Sequence, residues 1–272
     1  MSTILLCEPS SFDVTYKINP WMQPGAADRA KAVGQWCNLR AEIEKLTEIV
    51  VMQSDASVPD LIFTANAGIF DRNVFIPSIF RHDERKPETE IYEAWASAAG
   101  FQIERLPLQE GEFFEGAGDC LYQRGAEIVW MGYGFRTSME AGQYVSTALD
   151  ALTVRLQLID PKFYHLDTAF CPLENGYILW NPAAFDARSR NLVYHYVASE
   201  KLIPVDQEDA DYFACNAVNI GDVVIVNNCT IGLEKRLNDV GFKVVRTPLD
   251  QFLLSGGGAK CLTIKIDDEV EG

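Results

Sequence analysis

The sequence predicts an α/β fold in which five similar units, each a strand, a turn, a second strand and a helix, close into one ring. Two observations carry that expectation. Segments of small and polar residues recur at near-regular intervals, most of them followed by an apolar strand, a turn and another apolar strand. Between them lie stretches with apolar residues three and four apart, the period of an amphipathic helix.

The first unit reads Phe63-Thr64-Ala65-Asn66-Ala67-Gly68-Ile69-Phe70, turns at 71–73 and returns through Val74-Phe75-Ile76. The second runs from Glu115-Gly116-Ala117-Gly118-Asp119 into Cys120-Leu121-Tyr122, turns near Arg124-Gly125 and returns through Ile128-Val129-Trp130-Met131. The third opens on His165-Leu166-Asp167-Thr168 and the fourth on Ala214-Cys215-Asn216-Ala217, with turns at 174–176 and at Gly221-Asp222. The fifth, Gly256-Gly257-Gly258-Ala259-Lys260-Cys261-Leu262-Thr263-Ile264, has no second strand after it, and the N-terminal run Ile4-Leu5-Leu6 can supply one. With Asn66, Asp119, Asp167, Asn216 and Cys261 as markers, the units are spaced 53, 48, 49 and 45 residues apart.

Helices are expected over 27–47, 88–99, 141–152, 186–197 and 232–240. Gly100 and Gly241 directly follow two of them and suit a left-handed C-terminal cap. Closure through the terminal strands removes the exposed end units that an open array must cap. The reading is therefore one domain over 1–266, followed by a solvated acidic tail at 267–272.

Composition narrows the function. The chain has 23 Lys plus Arg against 39 Asp plus Glu, a formal charge of −16. Its basic runs, 81–86 and 188–190, are short or interrupted, so nucleic acid is not an expected partner. No apolar stretch approaches the ~20 residues of a membrane helix. The N-terminal apolar run is too short for a signal peptide, so a cytoplasmic location is expected. Seven cysteines (Cys7, Cys37, Cys120, Cys171, Cys215, Cys229, Cys261) stand singly, which is not a disulfide framework. The three histidines are far apart and no C-x-x-C pair exists, so no metal site is expected. Asn228-Cys229-Thr230 is formally a glycosylation acceptor, of little meaning in a cytosolic chain.

A ring whose small-polar segments share one end brings Asn66, Glu115, Asp119, His165, Asp167 and Cys261 to one cavity. Cys261 follows three glycines, where backbone can approach a ligand closely, whereas the other cysteines read as small buried hydrophobes. The glycines do not have phosphate-loop spacing. His165 and Asp167 lie two apart on an expected strand and so leave the same face. A thiol becomes nucleophilic as thiolate, and a cationic substrate or protonated His165 would favour that form. Glu115, Asp119 and Asp167 suit a planar cation such as guanidinium. For Asp119 the alternative of a carboxylate that orients its neighbours carries equal weight. Arg85 and Arg136 are natural partners for the carboxylate of an amino-acid substrate, against the commoner reading of arginine as surface charge.

These motifs resemble the guanidino-group modifying enzymes, a superfamily of five-bladed α/β propellers (penteins) with pseudo-fivefold repeats around a central active site. The likeness covers nearly the whole chain and is greatest to the arginine dihydrolase branch. It rests on Ile18-Asn19-Pro20-Trp21-Met22, Pro59-Asp60-Leu61-Ile62-Phe63-Thr64-Ala65-Asn66, Phe114-Glu115-Gly116-Ala117-Gly118-Asp119 and Gly132-Tyr133-Gly134-Phe135-Arg136. It continues through Phe163-Tyr164-His165-Leu166-Asp167-Thr168, Phe213-Ala214-Cys215-Asn216 and Gly257-Gly258-Ala259-Lys260-Cys261. The resemblance implies Cys261 as nucleophile, His165 as general acid and base, and Glu115 and Asp167 as guanidinium clamps. It implies Arg85 and Arg136 at the substrate carboxylate, with Asn19 and Asn66 completing the pocket, no cofactor and no metal. Deiminases of this superfamily carry aspartate where this chain has Asn66; an amide both donates and accepts, which suits a urea-like second-stage group.

The expected substrate is a small guanidino compound, and the expected reaction converts arginine to ornithine, ammonia and carbon dioxide. Three other readings stay open: hydrolysis of a methylated arginine, deimination that stops at citrulline, and binding without turnover. The sequence is compatible with a homo-oligomer. Some relatives of the dihydrolase branch carry a further C-terminal domain, and here the acidic tail is expected in its place.

Overall fold

The computed structural model describes residues 3–267. Most of the expected acidic tail, 268–272, lies outside the described residues. The chain opens with β1 (Thr3–Cys7), helix α1 (Arg29–Glu44) and β2 (Glu48–Met52). The next unit is β3 (Gly68–Asp71), β4 (Val74–Pro77), α2 (Glu88–Ala98) and β5 (Gln102–Ile103). It is followed by β6 (Cys120–Tyr122), β7 (Ile128–Tyr133), α3 (Ala141–Leu149) and β8 (Leu152–Gln157). Then come β9 (Phe170–Pro172), β10 (Ile178–Trp180), α4 (Ala187–Tyr196), β11 (Leu202–Pro204) and the short α5 (Gln207–Asp211). The last full unit is β12 (Val218–Ile220), β13 (Val223–Val226), α6 (Ile231–Asp239) and β14 (Lys243–Arg246). A single turn, α7 (Asp250–Leu253), leads to β15 (Ile264–Lys265).

Among the described residues these strands form five three-stranded sheets of one design. In each, the first strand pairs antiparallel with the middle one, and the middle strand runs parallel to the third across a helix. The middle strands are nearly continuous apolar runs, such as Ile-Val-Trp-Met in β7 and Val-Val-Ile-Val in β13. That composition suits a strand covered on both faces. The fifth sheet is completed across the ends of the chain: Ile4 pairs with Lys265 and Leu5 with Ile264, antiparallel, while β1 runs parallel to β2. The N-terminal strand thus takes the place expected for it, and the fold is the five-unit ring.

The helices sit where periodicity put them, with their ends set by capping. Asp28 accepts a hydrogen bond from Lys31 N at 3.0 Å, which starts α1 two residues later than the apolar pattern suggested. Asp186 caps α4 through Ser189 N at 2.8 Å. Thr230 caps α6 through Leu233 N at 3.1 Å, so that helix begins at Ile231. The stretch expected to reach 152 stops at Leu149, because Asp150 turns left-handed (φ 47°) and Leu152 already belongs to β8. Gly100 and Gly241 take φ of 96° and 99°. Phe101 N and Phe242 N reach back to Ala96 O and Leu237 O, the bond that closes a helix at a left-handed glycine.

The first strands of all five sheets surround the ring axis. Ile69 and Phe70 of β3, Leu121 and Tyr122 of β6, Phe170 and Cys171 of β9, Val218 of β12 and Ile264 of β15 line one axial cavity. Phe170 also belongs to a buried core with Trp130, Trp180 and Phe185, packed at edge-to-face or tilted angles. No helix of the described residues is long and apolar enough to cross a membrane.

Leu5 sits at the seam, fully buried against Met52, Val58 and Ile264. Leu5→Ala is expected to lower the unfolding free energy by roughly 2–5 kcal/mol with an unchanged urea m-value. The exposed Leu152→Ala should stay within about 0.5 kcal/mol. A loss at Leu5 as small as that at Leu152 would mean that the seam is outside the cooperative unit.

Candidate active site

The segment before each first strand turns inward at one end of the axis. Three of them form single 3-10 turns, Thr64–Asn66, Gly116–Gly118 and Leu166–Thr168, which pack against one another. Asn66 Nδ2 donates to Glu115 O at 3.1 Å, and Asn216 Nδ2 donates to Asp167 O at 3.1 Å. Each amide therefore ties its own unit to the one before or after it. The approach is tight: Gly116 has φ of 60°, and a Cβ there would lie 2.6 Å from Gly68 O.

His165 and Asp167 do not lie on a strand, contrary to the sequence expectation. His165 is extended, but Leu166 N donates to Asp119 Oδ1 at 2.9 Å and Thr168 N and Oγ1 both turn back to His165 O. Those bonds curl the chain into the 3-10 turn. The two side chains then point to different partners, His165 to Asp119 and Glu115, and Asp167 to Cys261.

Four ionisable groups form a buried chain. His165 Nδ1 is 2.9 Å from Asp119 Oδ2, and its Nε2 is 3.3 Å from Glu115 Oε2. Arg136 Nη1 donates to the same Glu115 oxygen at 3.0 Å, and its Nη2 to Ile18 O at 3.1 Å. Thr137 Oγ1 donates to Asp119 Oδ2 at 2.7 Å, so Asp119 is spent on its neighbours in the orienting geometry. Burial disfavours the imidazolium, yet Asp119 and Glu115 outweigh it and raise His165 to about 9. Glu115 is held well below the usual carboxylate range: burial opposes its charge, but Arg136 and His165 together win. Asn66 Nδ2 also lies 3.3 Å from His165 Nε2. The ring thus has a partner in either state, Glu115 when Nε2 carries a proton and Asn66 when it does not.

Cys261 is buried on the other side of this group. Its Sγ is 3.1 Å from Asn216 Nδ2 and 3.5 Å from Asp167 Oδ2. Burial and the Asp167 carboxylate push the thiol well above its ordinary range, despite the Gly258 and Asn216 donors. Lys260 pulls the other way without cancelling the rise, so the resting sulfur is favoured as the thiol. Burial raises Asp167 to about 6, against the pull of Lys260 and His165.

The glycine run is held almost residue by residue. Asn19 Nδ2 donates to Ser255 O at 2.9 Å and Ser255 Oγ to Asp60 Oδ1 at 3.2 Å. Tyr164 donates to Gly256 O at 2.8 Å, and a Cβ on Gly257 would collide with the Phe63 ring. Asn216 Oδ1 accepts from both Gly258 N (3.0 Å) and Cys261 N (3.1 Å).

Cys261 opens on a small cavity that is also lined by Asn19, Asp60, Asn66, Arg85, Arg136 and Tyr164, whereas Glu115, Asp119, His165 and Asp167, expected in the same cavity, are not part of its lining. Arg85 is buried and forks onto Glu88 through Nε (2.8 Å) and Nη2 (2.7 Å), leaving Nη1 to donate to Asn66 Oδ1 at 2.9 Å. Asp60, Glu88 and Tyr164 had no role in the sequence reading. Asp60 and Tyr164 stand inside two of the motifs quoted above, but nothing local marks them as buried. Among the described residues no cluster of three or more His, Cys, Asp or Glu is placed to hold a metal ion.

A ring of five ββαβ units with a buried Cys, His and carboxylates at its axis defines a pentein-type site, and comparison with known proteins agrees. The family model of eukaryotic N,N-dimethylarginine dimethylhydrolase matches residues 15–267. A bifunctional arginine dihydrolase/ornithine cyclodeaminase, ArgZ of Synechocystis sp., is 42% identical over 269 residues, covering 98% of this chain and 38% of its own length. The N(G),N(G)-dimethylarginine dimethylaminohydrolase of Mycobacterium tuberculosis is 34% identical over 260 residues, 95% of this chain and 83% of that one. The crystal structure of the N-terminal domain of ArgZ, a cysteine-to-serine mutant bound to substrate, superposes with a TM-score of 0.97 at 41% identity, covering all of both chains. The chain belongs to the dimethylarginine dimethylaminohydrolase family. It spans 38% of the length of the bifunctional relatives that it matches.

The coupling of His165 to Asp119 is directly measurable. In Asp119→Asn the His165 titration, followed by NMR, is expected to fall from about 9 toward the ordinary imidazole range. Because the folded pKa is raised, the ring's contribution to stability is complete below its unfolded value of about 6.5. It is lost as pH climbs through about 9. The stability gap between wild type and variant in urea should therefore be widest near pH 6 and shrink above pH 9; a gap that widens with pH contradicts the pairing.

Proposed function

We propose that the chain hydrolyses the guanidinium group of free arginine at Cys261, giving ornithine, ammonia and carbon dioxide. The observation that carries this reading is a buried thiol 3.5 Å from a carboxylate, in a cavity that also holds two arginines and Asp60. Such a cavity matches a ligand with a cation at one end and an amino acid at the other. Arg85 and Arg136 suit its carboxylate and Asp60 its ammonium, while Asp167 and Glu115 face the guanidinium. Asn19 and Asn66 complete the walls. The 42% identity to the arginine dihydrolase ArgZ supports the same reaction.

The raised thiol pKa makes the substrate part of the activation. A guanidinium beside Sγ stabilises the thiolate that burial and Asp167 otherwise disfavour, so the nucleophile forms when its target is present. The thiolate attacks the guanidinium carbon, and imidazolium His165 gives a proton to the departing ammonia. Neutral His165 then takes a proton from water, which attacks the S-alkylthiouronium carbon and expels the thiolate, leaving the urea-type compound citrulline. In a second round the thiolate attacks the ureido carbon and expels ammonia. Water then cleaves the thiocarbamate, and the resulting carbamate loses carbon dioxide to leave ornithine. Two waters are consumed and two ammonias released. Asn66 can donate to the ureido oxygen of the second round, which a carboxylate cannot. All seven cysteines are free, which suits a reducing compartment, and we place the enzyme in the cytoplasm.

Purified protein fed arginine should yield ornithine and two equivalents of ammonia by mass spectrometry and ammonia assay. Stoichiometric citrulline without ornithine would reject the dihydrolase reading in favour of deimination, and turnover of methylated arginines alone would favour the dimethylarginine reaction. Cys261→Ser should cost about a thousandfold or more in kcat with the fold intact. The reaction needs Asp167 ionised and His165 protonated, so kcat/KM should fall below pH about 6 and again above about 9.

A further inference from the structure

Tyr164 is buried, lines the cavity and touches three parts of it at once. The Arg136 guanidinium stands 4.7 Å over the centre of its ring, its hydroxyl donates to Gly256 O at 2.8 Å, and its ring lies 4.9 Å from that of His165. Gly256 belongs to the loop that presents Cys261. It has φ of 88°, and a Cβ there would sit 2.7 Å from the tyrosine oxygen, so loop and ring are fitted to one another.

We propose that Tyr164 is a positioning residue that sets the length of substrate the site accepts. This rests on the arginine reading above. In that reading the substrate carboxylate meets Arg136 while its reacting carbon meets Cys261. One rigid side chain spans the two: the ring supports the Arg136 guanidinium alongside Glu115 and Ile18 O, and the hydroxyl holds the backbone leading to the sulfur. A guanidino acid one methylene longer keeps both end groups but separates them too far. The discrimination then comes from the fixed separation rather than from a contact with the methylenes themselves.

The two functions of the side chain can be tested separately. Tyr164→Phe keeps the ring and removes only the bond to Gly256. It should raise the homoarginine-to-arginine ratio of kcat/KM about tenfold, within the range that one methylene commands, with arginine KM changed no more than about twofold. Tyr164→Leu also removes the seat of Arg136 and should raise arginine KM about tenfold, while leaving that of agmatine, which lacks a carboxylate, nearly unchanged. Alkylation of Cys261 by iodoacetamide without substrate, read by mass spectrometry, should be about threefold faster in the Phe variant because its loop is released. A merely structural tyrosine would lower both substrates in proportion. An unchanged ratio in Tyr164→Phe overturns the proposal, whatever happens to the individual rates. If wild type turns over no guanidino compound, the arginine reading fails on its own; an unaltered alkylation rate in the Phe variant then overturns the positioning role, and a raised one supports it.

Discussion

Everything at the axis depends on the pairing of the two terminal strands. Two residue pairs, Ile4 with Lys265 and Leu5 with Ile264, turn a row of units into a ring. Without that closure Cys261, which leads into β15, has no fixed relation to Asn66 or His165, far off along the chain. The closing interaction is modest in extent, but Leu5, Cys7 and Ile264 share one core with Phe70, Phe75 and Tyr92 of the neighbouring unit. The seam is therefore held by side chains as well as by its short ladder. Side-chain amides that donate to backbone carbonyls of another unit, Asn66 to Glu115 O and Asn216 to Asp167 O, then hold the inward segments in register.

Within that frame the site is a problem of buried charge. Glu115, Asp119, Asp167, Arg136 and His165 are all nearly inaccessible, and each would be costly alone. Their mutual arrangement separates carboxylates of one buried cluster into different states. Glu115 faces two cations and is held ionised, while Asp167 faces a thiol and is raised to about 6. Groups driven apart in this way can do different things at one pH. The same logic applies to Arg85, which Glu88 grips on two of its nitrogens, so that its one remaining edge is directed at Asn66.

The ring was legible in the sequence because its repeat is written in residue type. Small and polar residues recur wherever backbone must crowd at the axis, and apolar strands follow. The position of each marker ahead of its first strand survives in the structure, as does the use of Ile4-Leu5-Leu6 to finish the fifth sheet. Boundaries were less legible, because α1 and α6 start where Asp28 and Thr230 happen to cap, and α3 stops at a left-handed Asp150. The curl at Leu166–Thr168 was missed because it is imposed by Asp119 from another unit, not by local propensity. Asp60, Glu88 and Tyr164 were invisible for a related reason: a repeat tells which segments meet, not which side chains pair once they do. The direction of the Cys261 shift belongs to the same class, since it depends on burial and on Asp167 standing 3.5 Å from the sulfur.

The seam has one more implication. In four of the sheets the antiparallel pair is joined by a turn, for example at Arg72 or Gly221, whereas β15 and β1 are brought together from the two ends of the described residues. Ile266 N already donates to Thr3 O at 3.0 Å, so the two free edges lie as close as those of a hairpin. The described residues thus trace a ring of five similar corners, one of which is the β15–β1 pairing. A circular permutant that bridges this corner and opens another keeps every strand pairing and every inward segment. What changes is only which pair of strands is brought together from segments distant in sequence.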